Sequence, residues 1–590
     1  MEKNYNPPVS EYDTDISLNE LTAAVKMSKN KTSPGLDKIS YEILKHLPIF
    51  VLNILLQIFN NLWKTGGFIT DWNKALVKPL KKPAAPGSNL DSYRPIALTS
   101  TICKIYERIV TNRLLHFLDE KQCLTKFQAG FRKARSTMDQ LMRLQDDAQR
   151  ALKHRNTVRA IFLDMSKAFD TVWIPGLLHK IRKLKIPKNI YLFIKKFLSE
   201  RKIIMEVNET RSQEYNLHGG TPQGSVISPL LFLLMINDFP EPKERGTKYS
   251  LFADDSAIWM YGKSYKLITR KLQSYLEEIV DWCNKWGFCL NTKKTQSITF
   301  SYKKHNKINF NIKKQTIEEA GIIKFLGIKF DSRLTWSPHI SQIIEKIKPR
   351  MNLLRSLTGT KYGSNKKTLL MIYKALIRSV FDYACPLFIG ASAAQLKRLD
   401  KIQNRALQIV CGALAGTPKI ALQNECGEMP LWLRRQWILE KYMAKIKQNP
   451  ENPANDVLIL DTPYGLQHKK LTTDYITELL PMLDNIHQDS GRNPYPWDTD
   501  FYYIDTTLSS MVNRSTDDPQ NSRQQALRYQ EIYENRFPVY TDGSGGARIG
   551  AGIYIPDTDT KYGARLPDHS NNYIAEATAV HMALQYIQKK

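Results

Sequence analysis

Two short apolar, β-forming runs flank Asp254-Asp255 within 249–259, a pattern that predicts strand, tight turn and strand with both carboxylates at the turn. Upstream, Ile161-Phe162-Leu163 closes a near-continuous apolar run at Asp164. Such a run predicts a strand buried on both faces that delivers one carboxylate at its C-terminal end. Ala75-Leu76-Val77 and Tyr93–Leu98 read as two short strands joined by a Pro/Gly loop.

Helical spacing dominates elsewhere. Ser17-Leu18-Asn19-Glu20 is a capping box that opens a helix running to about residue 27. Further helices are predicted over 40–47 and 50–65, the second stopped by Gly66-Gly67. Others follow over 101–118, 137–154, parts of 176–199, 230–237 and 265–286. Ser337-Pro338 predicts a start, with Ser337 as cap and Ile340, Ile343, Ile344 and Ile347 at helical spacing. Two more helices are expected over 366–380 and 393–410. In the latter, Leu396, Leu399, Ile402, Ala406 and Ile409 form a core stripe, with Lys397, Arg398, Lys401 and Arg405 around it. Residues 1–16 read as a leader or the tail of something upstream.

Charge narrows the partners. The 590 residues hold 85 Lys+Arg against 57 Asp+Glu, a net +28, which implies a polyanionic partner. A membrane surface fits less well than nucleic acid, because the longest apolar run, near 228–236, is too short to span a bilayer and the first ten residues are polar. The seven cysteines have no zinc-type spacing and fit a reducing compartment.

The candidate chemistry is carboxylate and cation chemistry. Adjacent Asp254 and Asp255 repel one another unless a cation sits on them, and hard divalent ions prefer carboxylate oxygens. Asp164 supplies a third carboxylate for a two-metal site. Lys82 and Arg94 read either as a triphosphate clamp or as a solvated basic hairpin. Gly219, Gly220 and Gly224 let the backbone of 219–229 approach a base or ribose.

In order along the chain stand Tyr93-Arg94-Pro95-Ile96, Gln128-x-Gly130-Phe131, Phe162-x-Asp164-x3-Ala168-Phe169-Asp170, Pro222-Gln223-Gly224-Ser225-x3-Pro229, Phe252-Ala253-Asp254-Asp255 and Phe325-Leu326-Gly327. This series resembles the reverse transcriptases of non-LTR (LINE-like) retrotransposons, over roughly residues 17–430. The resemblance implies an α+β right-hand polymerase with fingers, palm and helical thumb. It implies that Asp164 and Asp254, with Asp255 beside them, hold two Mg²⁺, for which Mn²⁺ can substitute. It places Phe169 as the steric gate against a ribose 2′-hydroxyl, although Asp170 stands near where RNA polymerases bind that hydroxyl. Gln223 and Gly224 would contact nucleotide and template, Lys82 and Arg94 the phosphates. Lys294 or Lys293 would protonate the leaving group. Phe325, Leu326 and Gly327 would begin the primer-grip hairpin. The implied partners are an RNA template, a DNA primer or target DNA and deoxynucleoside triphosphates. No membrane is implied, and the action is expected in the nucleus.

Residues 449–535, with Pro453, Pro463, Pro494 and Pro496, read as a tether. After it, Thr541-Asp542-Gly543-Ser544 and Ala575-Glu576-x2-Ala579 resemble the start of ribonuclease H, with Asp542 and Glu576 matching the first two metal-binding carboxylates of that family. The sequence ends within the first helix, so an incomplete α/β ribonuclease H-like domain without RNA-hydrolysing activity is expected. No upstream endonuclease is recognisable, which suggests a fragment or decayed copy of a longer polyprotein. The expected organisation is 1–60 helical extension, 61–331 fingers and palm, 332–448 thumb and connection, 449–535 tether, and 536–590 partial ribonuclease H-like domain. The alternatives are an RNA-binding remnant without turnover and an RNA-dependent RNA polymerase.

Overall fold

The computed structural model describes residues 5–82, 89–359, 363–458, 524–525, 539–544, 549–566 and 572–589. It divides into units spanning 1–499 and 500–590.

The first unit opens with α1 (Leu18–Lys26), capped by Ser17 and reciprocally by Glu20 as the capping box predicts. After α2 (Tyr41–Lys45) comes α3 (Ile49–Thr65), which Gly66 ends in the left-handed region at φ 63°. Within the stretch read as a leader or tail, residues 10–16 pack into the first unit. Tyr12 and Ile16 are each 2% exposed. The Tyr12 hydroxyl meets His116 Nδ1 at 2.7 Å and donates to Glu120 at 2.5 Å. Fully buried Arg113 forks onto both Glu20 oxygens at 2.8 and 2.7 Å and donates to the carbonyls of Tyr12, Thr14 and Asp15. These partners lie about a hundred residues apart, beyond the reach of local periodicity.

Strands β1 (Lys74–Lys81) and β2 (Tyr93–Leu98) pair antiparallel, with Leu80 opposite Arg94. Helices α4 (Thr101–Glu120) and α5 (Thr137–Lys153) lead to β3 (Thr157–Leu163), which is buried at every residue. After α6 (Ile174–Lys183) and α7 (Lys188–Leu198), β4 (Arg201–Val207) joins β1 in parallel. It carries β5 (Thr210–Arg211) and β6 (Tyr215–Leu217). The apolar pattern did not reveal these three strands, because β4 is half-buried along most of its length and shows no in–out alternation.

Helix α8 (Ser228–Ile236) is buried nearly all round. The strands β7 (Thr247–Phe252) and β8 (Asp255–Gly262) follow, then α9 (Tyr265–Trp286), within its expected limits. Next come β9 (Gln296–Phe300), β10 (Phe310–Ile312) and β11 (Gln315–Glu319), which the sequence reading passed over, and the hairpin of β12 (Ile322–Phe325) and β13 (Ile328–Asp331).

The main sheet runs β10-β11-β9-β3-β8-β7, so β3 is central and antiparallel to both neighbours. Alternation splits its faces. Ile161, Leu163, Ile258 and Met260 belong to the core that includes Leu177 of α6, Phe232 of α8 and Leu272 of α9. Ala160, Phe162, Ala257 and Trp259 belong to the other core, with Leu141 and Leu144 of α5 and Phe325 and Ile328 of the hairpin. A sheet covered on both faces holds its strand ends rigidly, and those ends carry the acidic residues.

The helices continue with α10 (Ser337–Ser356) and α11 (Lys366–Ile372). A π-helical stretch, Tyr373–Arg378, passes into α12 (Ser379–Asp382). The last three are α13 (Ala393–Cys411), α14 (Lys419–Cys426) and α15 (Leu431–Lys447). The cap of α10 is Trp336 at φ 65°, one residue before the expected Ser337. The Asp331 carboxylate accepts from Thr335 and Trp336 N–H at 2.9 and 3.0 Å, and the buried Trp336 ring fixes the entry. On α13, Leu399 and Ala406 are buried, as the stripe predicts, and Leu396, Ile402 and Ile409 pack beside them.

In the second unit, β14 (Tyr540–Ser544), β15 (Gly550–Ile555) and β16 (Thr560–Arg565) form an antiparallel meander. It is followed by α16 (Asn572–Lys589). Ile553, Ile555 and Ala583 form its small core. Most of the expected tether lies outside the described residues. Among the described residues no helix is long and apolar enough to cross a membrane.

Candidate active site

The acidic residues meet at the ends of β3 and β8. Leu163 pairs with Ser256 across these strands, and Phe252 pairs with Asp255 across β7 and β8. Continuing that register sets Asp164 beside Asp255, about 5 Å away between Cα atoms. Both carboxylates were expected at the turn. In the structure Ala253 and Asp254 make the turn, and Asp255 is already the first residue of β8.

Electrostatics reports the same crowding. Burial raises the Asp255 carboxyl to about 6, and the Asp254 and Asp164 charges add to the rise. Burial also raises Asp164, opposed by Lys294 and reinforced by Asp254. The native state therefore holds a proton on Asp255 that the unfolded chain releases near 3.8. Its contribution to stability is lost as pH rises from about 4 to about 6. Asp255 is itself exposed, so solvent screens the repulsion, and Asp255→Asn is expected to melt only about a degree higher than the parent at pH 7 in chelator, and at the same temperature below pH 4. Thermal melts across that range check this; equal melting temperatures at pH 7 would show that the crowding has no effect.

Two lysines lie near Asp164. Lys294 Nζ lies 3.9 Å from Asp164 Oδ2, and Asn291 N–H, three residues before it, donates to the Asp164 carbonyl at 2.8 Å. Lys82 Nζ donates to the Asp91 carbonyl at 2.6 Å and lies near enough to bias the Asp164 carboxyl. The Asp91 carboxylate pairs with Lys167 at 2.9 Å, joining the β1–β2 connection to the segment after β3. Arg94 is exposed on β2.

The glycine-rich loop is tied on two sides. Thr221 N–H donates to Phe169 O at 2.8 Å, and Ala97 N–H of β2 donates to Gln223 O at 2.7 Å. The Gln223 amide donates to Asp170 Oδ1 at 2.7 Å. Gly224, at φ 127°, lies so close to β2 that a β-carbon would stand 2.5 Å from Ala97 O. Phe169 stacks on Phe232 at 4.5 Å between centroids and meets Phe131 edge-on at 6.3 Å.

Two supports escaped the sequence reading. Buried Glu107 of α4 accepts from Val226 and Ile227 N–H at 2.8 and 3.3 Å, fixing the entry to α8. Buried Gln128 accepts from Gly130 and Ala253 N–H. Glu107 carried a readable signal, a lone acid among the apolar positions of a helix.

Phe325 ends β12, while Leu326 and Gly327, at φ 45° and 85°, form the turn itself rather than the start of the hairpin. Tyr383 donates to Leu326 O at 2.7 Å. In the second unit, Asp542 is exposed and lines an open cleft with Gly552 and Gly563, whereas Glu576 lies on the exposed face of α16 beside buried Ala575 and Ala579. No described contact joins Asp542 to Glu576.

Residues 80–330 match the family model for reverse transcriptase (RNA-dependent DNA polymerase). This part of the chain is a reverse transcriptase domain. Among curated proteins, the probable RNA-directed DNA polymerase from transposon BS of Drosophila melanogaster is 30% identical over 67% of this chain and 44% of its own length. The RNA-directed DNA polymerase from mobile element jockey of the same fly is 29% identical over 74% of this chain and 48% of its own. The chain thus spans about half the length of the curated relatives it matches. A solved telomerase from Candida albicans aligns over 72% of this chain and 69% of its own, at 12% identity and a TM-score of 0.32.

Reverse transcriptases generally use divalent metal ions, and the donor set here fits such ions. It offers hard carboxylate oxygens whose mutual repulsion a cation relieves. Among the described residues no group of three or more His, Cys, Asp or Glu is placed to hold a metal ion. Mg²⁺ commonly takes one or two carboxylates, keeps several waters and completes its shell with substrate phosphates.

Proposed function

We propose that the chain is an RNA-directed DNA polymerase of a non-LTR retrotransposon, adding deoxynucleotides to a primer 3′-hydroxyl on an RNA template. The observation that carries this reading is the convergence of Asp164, Asp254 and Asp255 at adjoining strand ends within a reverse transcriptase domain. Asp164 and Asp254 would hold two Mg²⁺, with Asp255 beside them. Bound there, the cations lower the pKa of the primer hydroxyl and neutralise the triphosphate and its pyrophosphate.

The protein aligns and screens. Lys82 and Arg94 hold the triphosphate from the β1–β2 pair. Lys294, already beside Asp164, donates a proton to the departing pyrophosphate. Gln223 and Gly224 support the nucleotide against the template, and the turn Phe325-Leu326-Gly327 holds the primer end. The Phe169 ring, backed by Phe232, fills the space a ribose 2′-hydroxyl needs. Asp170 is occupied by the Gln223 amide, which favours Phe169 over Asp170 as the residue that reads the sugar.

Primer extension on an RNA template with Mg²⁺ and deoxynucleotides tests the proposal, and templated extension is the expected result. No extension would leave an RNA-binding remnant; extension with ribonucleotides in preference would make it an RNA polymerase. Phe169→Val is expected to raise ribonucleotide incorporation about 10- to 100-fold relative to deoxynucleotide. Parallel extensions with each nucleotide set measure this, and an unchanged ratio would remove Phe169 from the gate.

A further inference from the structure

We propose that Gln128 is a positioning residue for Asp254 and Asp255, setting the turn between β7 and β8 through one side-chain oxygen; the proposal rests on the polymerase reading above. Gln128 Oε1 accepts from Gly130 N–H at 2.7 Å and from Ala253 N–H at 3.0 Å. Two N–H donors converging on one atom require the carbonyl end of the amide. The side chain is 2% exposed, so bulk water has no access to replace it.

The turn needs an outside hold. Ala253 sits at φ 55°, a region that disfavours a residue with a β-carbon. Its N–H is the last fixed point of the backbone before Asp254. The segment around Gln128 lies along β7 like an added parallel strand. Ala129 N–H donates to Leu251 O at 2.9 Å, and Leu251 N–H donates to Phe127 O at 3.2 Å. Helix α5 holds the same segment, since Gln140 Nε2 donates to Phe127 O at 3.0 Å. Gly130 closes the contact: a β-carbon there would stand 2.5 Å from Ala253 N. A run of direct contacts therefore leads from α5 through Phe127 and Gln128 to the peptide that precedes Asp254. Without the Gln128 oxygen, that peptide keeps the Phe252–Asp255 pairing on either side but loses its side-chain anchor, and the carboxylate can shift out of line.

Gln128→Met keeps the length and bulk and removes the acceptor; Gln128→Glu keeps an oxygen at the same place. In the Met variant, kcat for primer extension is expected to fall about 10- to 100-fold, the loss that a misplacement near 1 Å brings. KM for nucleotide and for primer–template should stay within about two-fold. Hydrogen exchange at the Ala253 and Gly130 amides should quicken by at least about ten-fold, and the Glu variant should restore both the slow exchange and most of kcat. Parental kcat in the Met variant, a loss confined to KM, or a Glu variant no better than Met would each overturn the proposal. If the Met variant does not fold, the Glu variant decides alone, since rapid Ala253 exchange in it counts against the hold. An inactive parent protein would instead sink the polymerase reading, and the exchange comparison would still test the hold on Ala253.

Discussion

Asp254→Asn is expected to lower nucleotide addition by about 10³-fold or more while leaving RNA binding nearly intact. The substitution removes one oxygen anion from the cluster proposed to gather cations, and an amide does not replace it. The fold gives no reason for collapse. Asp254 is exposed at the turn, and neutralising it relieves the repulsion that drives up its neighbours. Melting temperature should therefore hold or rise, which separates a catalytic loss from a folding loss. RNA affinity would draw on a net charge of +28 spread over the chain, which the loss of one negative charge raises only to +29. Single-turnover primer extension and filter binding on the same preparation measure both. Undiminished extension by Asp254→Asn would remove this residue from the reaction.

Arg113→Ala is expected to cost about 3–5 kcal/mol and to lower the melting temperature of the first unit by roughly 3–5 °C. Arg113 is fully buried, and Glu20 opposite it has a side chain only 4% exposed. Truncation leaves that carboxylate without its cation, removes the guanidinium donors from the carbonyls of Tyr12, Thr14 and Asp15, and opens space under the Trp63 ring that the guanidinium covers at 5.2 Å. Removing both charges as Arg113→Met with Glu20→Gln should recover part of the loss, because the worst term is the lone charge. Calorimetry of the three variants checks the order. An Arg113→Ala protein as stable as the parent would mean that residues 10–20 are not docked on α4.

These two residues also mark what sequence reveals and what it hides. The acidic turn was legible because β-formers flank it on both sides and a strand with two buried faces needs an apolar run like that before Asp164. Helix α9 was legible to its ends, between Ser264 and Gly287, which cap it by ordinary chemistry. The strand β4 was hidden because its residues are neither in nor out, and β5 and β6 are too short to show a period. Arg113 gave no signal, since a buried arginine and a solvated one look alike until the chain returns. Gln128 was visible as a motif letter, but its task depends on Ala253, 125 residues later. The start of α10 slipped by one residue because Asp331 and the packing of Trp336 outweighed the local preference of serine for the cap.

The loop that carries Gln223 is bonded to β2 at Ala97 and to the segment after β3 at Phe169. It therefore ties β2 to the segment after β3. Under the polymerase proposal, any shift of β2 would carry Gln223 with it, so that the residue offered to the base and the residue offered to the phosphates would be displaced together.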